Sequence, residues 1–387
     1  MITIFNDQEK LYYADAYQKK FDAVVISCDR LSENSFVSAL NRTAFYPEGG
    51  GQPSDIGKIG ETRVLHVFEK NGEILHRTDG PLIVGSAVHG EIDFDERFSN
   101  MQNHSGEHVA SGIIKSMLDF DNVGFHMGSE FVTIDFNGEL SDRNIKEIEE
   151  LANEAVYKNL DIEILFPGES EFKSMNCRSK KDLAGDVRVV RIAGVDTCAC
   201  CGTHVSKTGE IGVIKLISHQ RYKGGTRISM LCGKRALRDY YDKNKSIYII
   251  SGLLSAKPSD VASAAETLLS ETASLKHKLA RQNLRIFKLM ADAVLPCDRI
   301  CVFEDALSPN ELRQLCLMLC EKAKFALVLS GADSIYKYAL GSLENDVSLI
   351  GKSLNEAFDG RGGGTGALMQ GSICGSRESI ENFFSKT

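Results

Sequence analysis

The 387-residue sequence lacks a long apolar segment, since no run approaches the roughly 18 apolar residues that indicate a membrane-spanning helix. Residues 1–10 also lack the basic region followed by an apolar stretch that marks a secretory leader. The eleven cysteines are scattered and odd in number, unlike the regular framework of a small secreted domain. These absences predict a cytoplasmic protein with reduced thiols and no membrane partner.

An excess of positive charge is missing as well, because 45 Lys and Arg face 53 Asp and Glu, for a formal net charge of −8. Neutralising phosphates requires a surplus of Lys and Arg, so this balance argues against a protein that coats nucleic acid indiscriminately, although it allows a local basic patch. With 43% hydrophobic and 25% charged residues, the chain can bury two or three cores of ordinary domain size. The composition favours a modular enzyme over a simple binding domain.

Two short motifs supply four candidate metal ligands: HSGEH, from His104 to His108, and CCGTH, from Cys200 to His204. Positions i and i+4 of a helix lie on one face, so His104 and His108 can both point at one ion. Gly202 interrupts the second motif, which predicts a tight loop that closes the ion from the opposite side.

A histidine pair at helical spacing is, by itself, more often a solvated or core pair than a metal site. Three cysteines, Cys198, Cys200 and Cys201, crowd before His204 and shift the balance toward metal binding. Mixed imidazole and thiolate ligation suits zinc, a borderline ion without redox chemistry. The sequence therefore predicts one split zinc site.

The pattern along the chain predicts an α+β multidomain fold in four parts. Residues 1–95 contain short β-rich pieces broken by turns, which indicate a small antiparallel β-barrel. Residues 96–245 alternate helical and strand patterns, and the metal motifs bracket this α+β zinc-binding domain. Leucines recur at periods of three and four within residues 246–295, which predicts a long helical linker. Residues 296–387 predict a small α/β domain that includes a helix over residues 309–324.

Four motifs in a fixed order carry a family resemblance. The segments TAFYPEGGGQPSD (Thr43 to Asp55), NHSGEH, CCGTHV and KGGTRI together resemble the freestanding alanyl-tRNA editing proteins, the AlaX group. Three consecutive glycines in the first segment expose backbone amides to a partner or merely permit a turn. The stretch GRGGGTG, from Gly360 to Gly366, resembles the DHH-associated domain that ends the long form of that group and alanyl-tRNA synthetase. The resemblance covers nearly the whole chain.

The resemblance implies hydrolysis of the ester that joins serine or glycine to the 3′ end of tRNA for alanine. It implies Zn²⁺ as cofactor, held by His104, His108, Cys200 and His204. Cys201 stands where the synthetase motif usually has glycine, so Cys201 and Cys198 stay open as alternative thiolates. If all four ligands bind together, zinc has no open position, and a positioning role competes with activation of water. Nucleotide and ATP binding, attributes of the synthetase, are expected as well.

Selection of the mischarged amino acid sets a further requirement. Serine adds only a hydroxyl to alanine and glycine is smaller, so a synthetase site cannot exclude either by binding alone. We expect Thr43 to lie in a loop facing the acylated end and to bond the serine hydroxyl, with Gln52 as a weaker candidate for this bond. A cap or turn contact is the alternative for both. The group that activates water stays open among four polar residues, each more often structural: Glu48, Glu107, His126 and Asp196.

A basic segment, HQRYKGGTR over residues 219–227, combines positive side chains, an aromatic ring and glycines, which suits phosphates and a stacked terminal base. Arg221, Lys223 and Arg227 are the predicted tRNA contacts, and a solvated basic loop is the alternative. Arg361 is a fourth candidate. The C-terminal part is expected to add tRNA contacts or to form a homodimer.

Two other functions compete with editing. A noncatalytic, zinc-stabilised tRNA-binding protein would carry the same motifs without hydrolysis. A phosphoesterase of the DHH kind is suggested by the C-terminal part alone, and the sequence has no Asp-His-His motif. Nothing before the editing segment resembles an aminoacylation core, which argues against an intact synthetase.

Overall fold

The computed structural model describes residues 8–178, 187–332 and 334–387. The chain divides into two compact units, one ending at Ser246 and the other beginning at Ile247. Residues 1–7, part of the segment expected to contain no leader, lie outside the described residues. The barrel and both metal motifs fall in the first unit. This division does not separate the chain near residues 95 and 295, so the domain boundaries expected there remain predictions.

The first unit opens with short elements and the strands of a barrel. These are β1 (Glu9–Lys10), α1 (Leu11–Ala14), β2 (Lys20–Ser32), β3 (Ser35–Leu40), β4 (Arg42–Thr43), β5 (Gly57–Ile59), β6 (Thr62–Lys70), β7 (Glu73–Thr78) and β8 (Ala87–Ile92). Six of them close in the order β2-β3-β7-β6-β5-β8, with every neighbouring pair antiparallel. Phe21, Ala23 and Val25 of β2 are buried at the two-residue spacing of a strand. The predicted small antiparallel barrel is confirmed.

A buried helix, α2 (Phe94–Leu118), follows the barrel and carries the first metal motif. The Asp93 side chain accepts a hydrogen bond from a backbone N–H of the first turn and caps the helix. A Cβ at Gly106 or Gly112 would overlap a neighbouring segment, so glycine lets other parts of the unit approach the helix closely. The helix is thereby fixed at the centre of the unit.

The remainder of this region alternates strands and helices. Its elements are β9 (Asn122–Met127), β10 (Val132–Phe136), α3 (Asp142–Tyr157), β11 (Ile162–Leu165), α4 (Glu169–Ser174), β12 (Val189–Ile192), β13 (Asp196–Ala199), β14 (Ile214–Tyr222), β15 (Gly225–Cys232) and α5 (Gly233–Leu254). The strands form two antiparallel sheets, ordered β14-β15-β10-β9 and β11-β12-β13. Their apolar side chains share one core with α2 and α3. The arrangement agrees with the mixed pattern predicted for this region.

A two-residue turn of Lys223 and Gly224 joins β14 to β15, and both residues have positive φ. Strand pairing continues to Tyr222 and Gly225 at the base of the turn. The segment over residues 219–227, for which a solvated basic loop is the alternative to a tRNA contact, is a tight hairpin, which positive φ at two central residues suits.

The second unit contains a long helix and a five-stranded sheet. Its elements are α6 (Val261–Ala293), β16 (Cys297–Glu304), α7 (Pro309–Leu319), β17 (Ala323–Ala332), β18 (Ile335–Gly341), α8 (Ser348–Ala357), β19 (Arg361–Thr365), β20 (Leu368–Cys374) and α9 (Arg377–Lys386). The sheet order is β16-β17-β18-β20-β19, and only the β16–β17 pair in this described sheet is parallel. Helices α6 and α7 pack against one set of sheet residues, and α8 and α9 against another. The helix expected over residues 309–324 ends at Leu319, because Ala323 already belongs to β17.

None of the helices within the described ranges is long and apolar enough to cross a membrane.

Candidate metal centre

Four side chains from the two motifs meet at one point. Helix α2 supplies His104 and His108 one turn apart, and the loop after β13 supplies Cys200 and His204. Their ligand atoms all lie within 4.8 Å of one another. Cys200 Sγ is 3.4 Å from His104 Nε2 and 3.7 Å from His204 Nε2. The structure thus brings all four candidate ligands together in a group that could hold a metal ion.

Outer hydrogen bonds orient the two helical imidazoles. Gln52 Oε1 lies 2.8 Å from His104 Nδ1, and Asp196 Oδ2 lies 2.8 Å from His108 Nδ1. Because both partners accept, each Nδ1 carries a proton and each Nε2 faces the centre. Gln52 Nε2 also donates to Thr203 Oγ1 at 2.9 Å. Gln52 is fully buried, and these contacts tie the glycine-rich segment to the ligand loop.

The charge on the other two ligands follows from their surroundings. Burial alone would raise the pKa of Cys200, but the imidazoles of His104 and His204 outweigh it and hold this pKa well below the usual range. Burial lowers the pKa of His204 to about 3, so its ring is neutral at pH 7. The centre therefore offers a thiolate beside a neutral imidazole.

His108 tests whether this donor set fits a metal. Burial opposes charge on its ring, but Asp196, Cys200 and Glu107 together outweigh burial and raise the pKa of His108 to about 10. Its Nε2 is buried and has no hydrogen-bond partner among the described residues. A cation at the centre would displace the Nε2 proton and supply the missing partner. The donors fit a borderline divalent ion.

Cys198 and Cys201 do not join the four-residue group. The Cys198 thiol donates to the Arg178 carbonyl oxygen at 2.7 Å, and burial raises its pKa. Cys201 is exposed. Cys198 instead lies in a second candidate group with His108 and Asp196. The geometry favours Cys200 as the thiolate ligand.

Thr43 lies in β4 and is fully buried. Its Oγ1 is 2.8 Å from His76 Nε2 and accepts a hydrogen bond from the Phe45 backbone N–H at 3.1 Å. The prediction that Thr43 lies in a loop is wrong, because Thr43 pairs with Lys10 in a short parallel strand pair. A role for Thr43 in amino-acid selection remains a prediction.

A crevice of about 460 Å³ opens beside the three glycines. Its lining consists of residues 48–53 together with Phe68, Glu69, His126 and Met127. Gly51 has a φ of +86°, and a Cβ there would overlap Phe125. The Phe125 ring stacks on His104 with centroids 5.0 Å apart. Glycine is thus required for the loop to pass next to a candidate ligand, and the crevice adjoins the metal centre.

The four polar residues considered for activating water occupy two settings. Glu48 and His126 line the crevice, and the Glu48 carboxylate accepts from or pairs with His66 at 2.7 Å. Glu107 and Asp196 are buried. Glu107 Oε1 accepts from the Ser111 hydroxyl at 2.6 Å, and Asp196 orients His108.

Two arginines beside the centre belong to no motif, so the sequence does not mark them as functional. Arg178 pairs with Asp196 at 2.9 Å. Arg188 Nη1 donates to the Cys200 carbonyl oxygen at 2.7 Å, and burial lowers the pKa of Arg188. The one available signal for Arg188 is its place inside the apolar run VRVV, residues 187–190.

The predicted tRNA contacts lie in different settings. Arg221 and Arg227 each pair with a carboxylate, at 3.0 Å and 2.7 Å, and the Arg227 guanidinium also stacks 3.7 Å from the Tyr222 ring centroid. Lys223 is exposed at the hairpin turn. Arg361 is exposed at the start of β19, in the second unit. Lys223 is thus the cation of the hairpin most available to a phosphate.

The fold and the His/Cys centre define a class of synthetase-related domain. Residues 187–229 match the family model described as threonyl and alanyl tRNA synthetase second additional domain. This match contains Cys200, His204 and the β14–β15 hairpin.

Relatives narrow the class to one family. Alanyl-tRNA editing protein AlaX-M of Methanosarcina barkeri is 35% identical over 230 residues, which cover 55% of this chain and 93% of that protein. AlaX-L of Pyrococcus horikoshii is 35% identical over 253 residues, which cover 60% of this chain and 62% of that protein. Alanine–tRNA ligase of Methanobrevibacter smithii is 29% identical over 379 residues, 92% of this chain and 41% of the ligase. The chain belongs to the alanyl-tRNA editing protein AlaX family.

The chain thus spans 62% of the length of the AlaX-L relative and less than half of the ligase. Neither these matches nor the described site supports the expected nucleotide and ATP binding.

Proposed function

We propose that this protein is a trans-editing hydrolase that deacylates tRNA(Ala) mischarged with serine or glycine. The observation that carries the proposal is the convergence of His104, His108, Cys200 and His204 beside a glycine-lined crevice, in a chain of the AlaX family. An aminoacyl ester is already activated, so the site has mainly to hold the acyl group, orient water and stabilise developing charge.

The same four side chains would hold Zn²⁺, which would supply a fixed Lewis-acidic charge for orienting the aminoacyl end. Gln52 and Asp196 position the two helical imidazoles through their Nδ1 protons. The glycines at residues 49–51 admit the 3′ end of the tRNA to the crevice with little steric obstruction. Location in the cytoplasm, the compartment of translation, belongs to the same proposal.

A deacylation assay on tRNA(Ala) carrying serine, glycine or alanine tests this function. We expect the seryl or glycyl ester to be cleaved faster than the alanyl ester, and zinc to be required. A protein that binds all three tRNAs but cleaves none of them would instead be the noncatalytic tRNA-binding protein.

Thr43 is proposed to set the preference for serine, through the hydroxyl that now bonds His76. In Thr43→Val, we expect the ratio of seryl to alanyl cleavage rates to fall about 10-fold, the loss of one useful hydrogen bond. Thr78→Val is the matched control, since Thr78 is also buried in the barrel but bonds the Gly80 carbonyl oxygen. An unchanged ratio in Thr43→Val would remove this contact from the proposal.

The C-terminal unit is proposed to add tRNA contacts and to support a homodimer. Helix α6 presents a row of exposed apolar side chains that suits a second copy of the chain. They are Leu268, Leu269, Leu275, Leu279, Leu284, Ile286 and Leu289. Arg361 is the proposed backbone contact of this unit.

A further inference from the structure

A buried arginine next to the metal centre forms no ion pair with a carboxylate in the described part of the chain, and the Cys200 thiolate is the anionic neighbour that most favours its charge. Arg97, which is buried, and Arg178, whose side chain is 9% exposed, each form an ion pair with a buried aspartate. Arg188 is 7% exposed, and none of the described carboxylates pairs with it. Its Nε is buried and without a hydrogen-bond partner. A thiolate that binds a metal shares its charge with that ion, so Arg188 is left able to receive an anion from a ligand.

The guanidinium is held in place relative to a metal ligand. Arg188 directly precedes β12 and lies opposite Cys200 at the end of the β12–β13 pair. The Cys200 backbone N–H donates to the Arg188 carbonyl oxygen at 3.0 Å, and Arg188 Nη1 donates to the Cys200 carbonyl oxygen at 2.7 Å. Two hydrogen bonds in opposite directions fix this charge before any substrate arrives.

A row of tyrosine rings lies between Arg188 and the crevice. Its Cζ lies 5.6 Å from the Tyr13 ring centroid, the Tyr13 and Tyr12 centroids are 4.6 Å apart, and those of Tyr12 and Tyr46 are 5.5 Å apart. The Tyr46 hydroxyl donates to the carbonyl oxygen of Gly49, which lines the crevice. The Tyr12 hydroxyl is buried and, like Arg188 Nε, finds no partner among the described residues.

We infer that Arg188 is a catalytic residue that receives the negative charge developing on the acyl oxygen of the aminoacyl ester. This inference rests on the proposed function. Water adds to the carbonyl carbon and gives up a proton to solvent, while the carbonyl electron pair moves onto the acyl oxygen. The pair then returns, the bond to the tRNA 3′ oxygen breaks, and that oxygen takes up a proton. The guanidinium stabilises the state between these two events.

The burial of Arg188 favours an acyl oxygen over a phosphodiester of the tRNA. A phosphodiester is bulky, hydrated and permanently charged, so it is best met by exposed cations such as Lys223. A single acyl oxygen needs little space, and its charge exists only during the reaction. A fixed buried cation acts most strongly on charge of that kind.

Full-length Arg188→Met and Arg188→Lys proteins test the inference on seryl-tRNA(Ala). For Arg188→Met we expect kcat to fall about 100-fold or more, with KM and zinc content close to the parent values. Arg188→Lys keeps the charge and should recover part of the loss. Arg191→Met is the matched control, because Arg191 lies three residues away, is exposed and pairs with Glu163. Its kcat should equal that of the parent.

Binding of two adenosine analogues gives a readout that does not depend on turnover. One carries a neutral 3′-seryl amide, and the other a tetrahedral phosphonate anion in place of the acyl group. The parent should bind the anion about 100-fold more tightly than the amide, and Arg188→Met should lose that preference.

Three results would overturn the inference: an unchanged kcat in Arg188→Met, a fall in kcat that merely follows loss of zinc, or equal binding of the two analogues by the parent. Failure of the proposed function looks different, since the parent itself would then leave seryl-tRNA(Ala) intact.

Discussion

At the scale of single residues, burial and neighbours separate three cysteines that the sequence places almost side by side. Cys200 faces the imidazoles of the centre, which favour its thiolate over the thiol. The Cys198 thiol is satisfied by a backbone carbonyl, and Cys201 is exposed. Ligand identity is therefore set by the direction in which each side chain points from strand β13 and the loop after it.

We expect Cys200→Ala to lose most of its bound metal, whereas Cys201→Ala retains about one zinc per chain. The physical reason is that only the Cys200 thiolate lies within reach of all three imidazoles. Elemental analysis after dialysis against a weak chelator measures the difference. Full zinc content in Cys200→Ala would mean that the thiolate ligand is Cys198 or Cys201.

A second residue-scale prediction concerns pH. Burial lowers the pKa of His76 to about 4 from its ordinary value of 6.5, against a weaker opposing hydrogen bond to the Ser38 carbonyl oxygen. Below pH 6.5 His76 becomes protonated in the unfolded chain, whereas in the folded barrel it stays neutral until the pH approaches 4. Stability is therefore lost as the pH falls through this window, by roughly 3 kcal/mol at most.

The measurement is the free energy of unfolding in urea at pH 7 and pH 4.5, for the parent and for His76→Gln, both free of metal. The glutamine can still bond Thr43 but does not titrate, so its drop between the two pH values should be smaller. Identical drops in the two proteins would show that His76 is not buried as a neutral ring.

At the scale of elements, the local sequence pattern predicted which helices and strands form, but not which distant strands become neighbours. Helix α2 follows from the i, i+4 histidines, and the barrel from short strands broken by turns. The inward position of Thr43 and the pairing of Arg188 with Cys200 depend on which distant strands become neighbours. No local pattern contains that register. The metal ligands were predictable because their spacing is itself local.

The β14–β15 hairpin separates cations that look alike in the sequence. Arg227 pairs with a carboxylate and stacks on the Tyr222 ring, whereas Lys223 is exposed at the turn with its Nζ 5.1 Å from the same ring centroid. We expect Lys223→Gln to weaken tRNA binding and to lower the slope of log K against log salt by about one, the loss of one phosphate contact. Lys146→Gln, an exposed lysine on α3, is the control. Equal slopes for Lys223→Gln and the parent would place the tRNA backbone elsewhere.

At the scale of the whole molecule, the candidate active site and the additional contact surfaces belong to different units. The four ligands, the crevice and the basic hairpin all precede Ser246, whereas the exposed leucines of α6 and Arg361 follow it. A chain with a formal net charge of −8 cannot attract tRNA by its overall charge, so it depends on local cations in either unit.

Truncation after Ser259 tests this division. The shortened protein should fold, hold zinc and deacylate seryl-tRNA(Ala) at saturating concentration within about threefold of the parent rate, because the whole centre remains. Its tRNA binding should weaken by about 10-fold, the equivalent of one or two lost phosphate contacts, and light scattering should show a monomer where the parent self-associates. Circular dichroism and zinc content verify that the truncated chain is intact. A folded, zinc-loaded truncation that cannot deacylate even at saturation would mean that the C-terminal unit helps to build the active site.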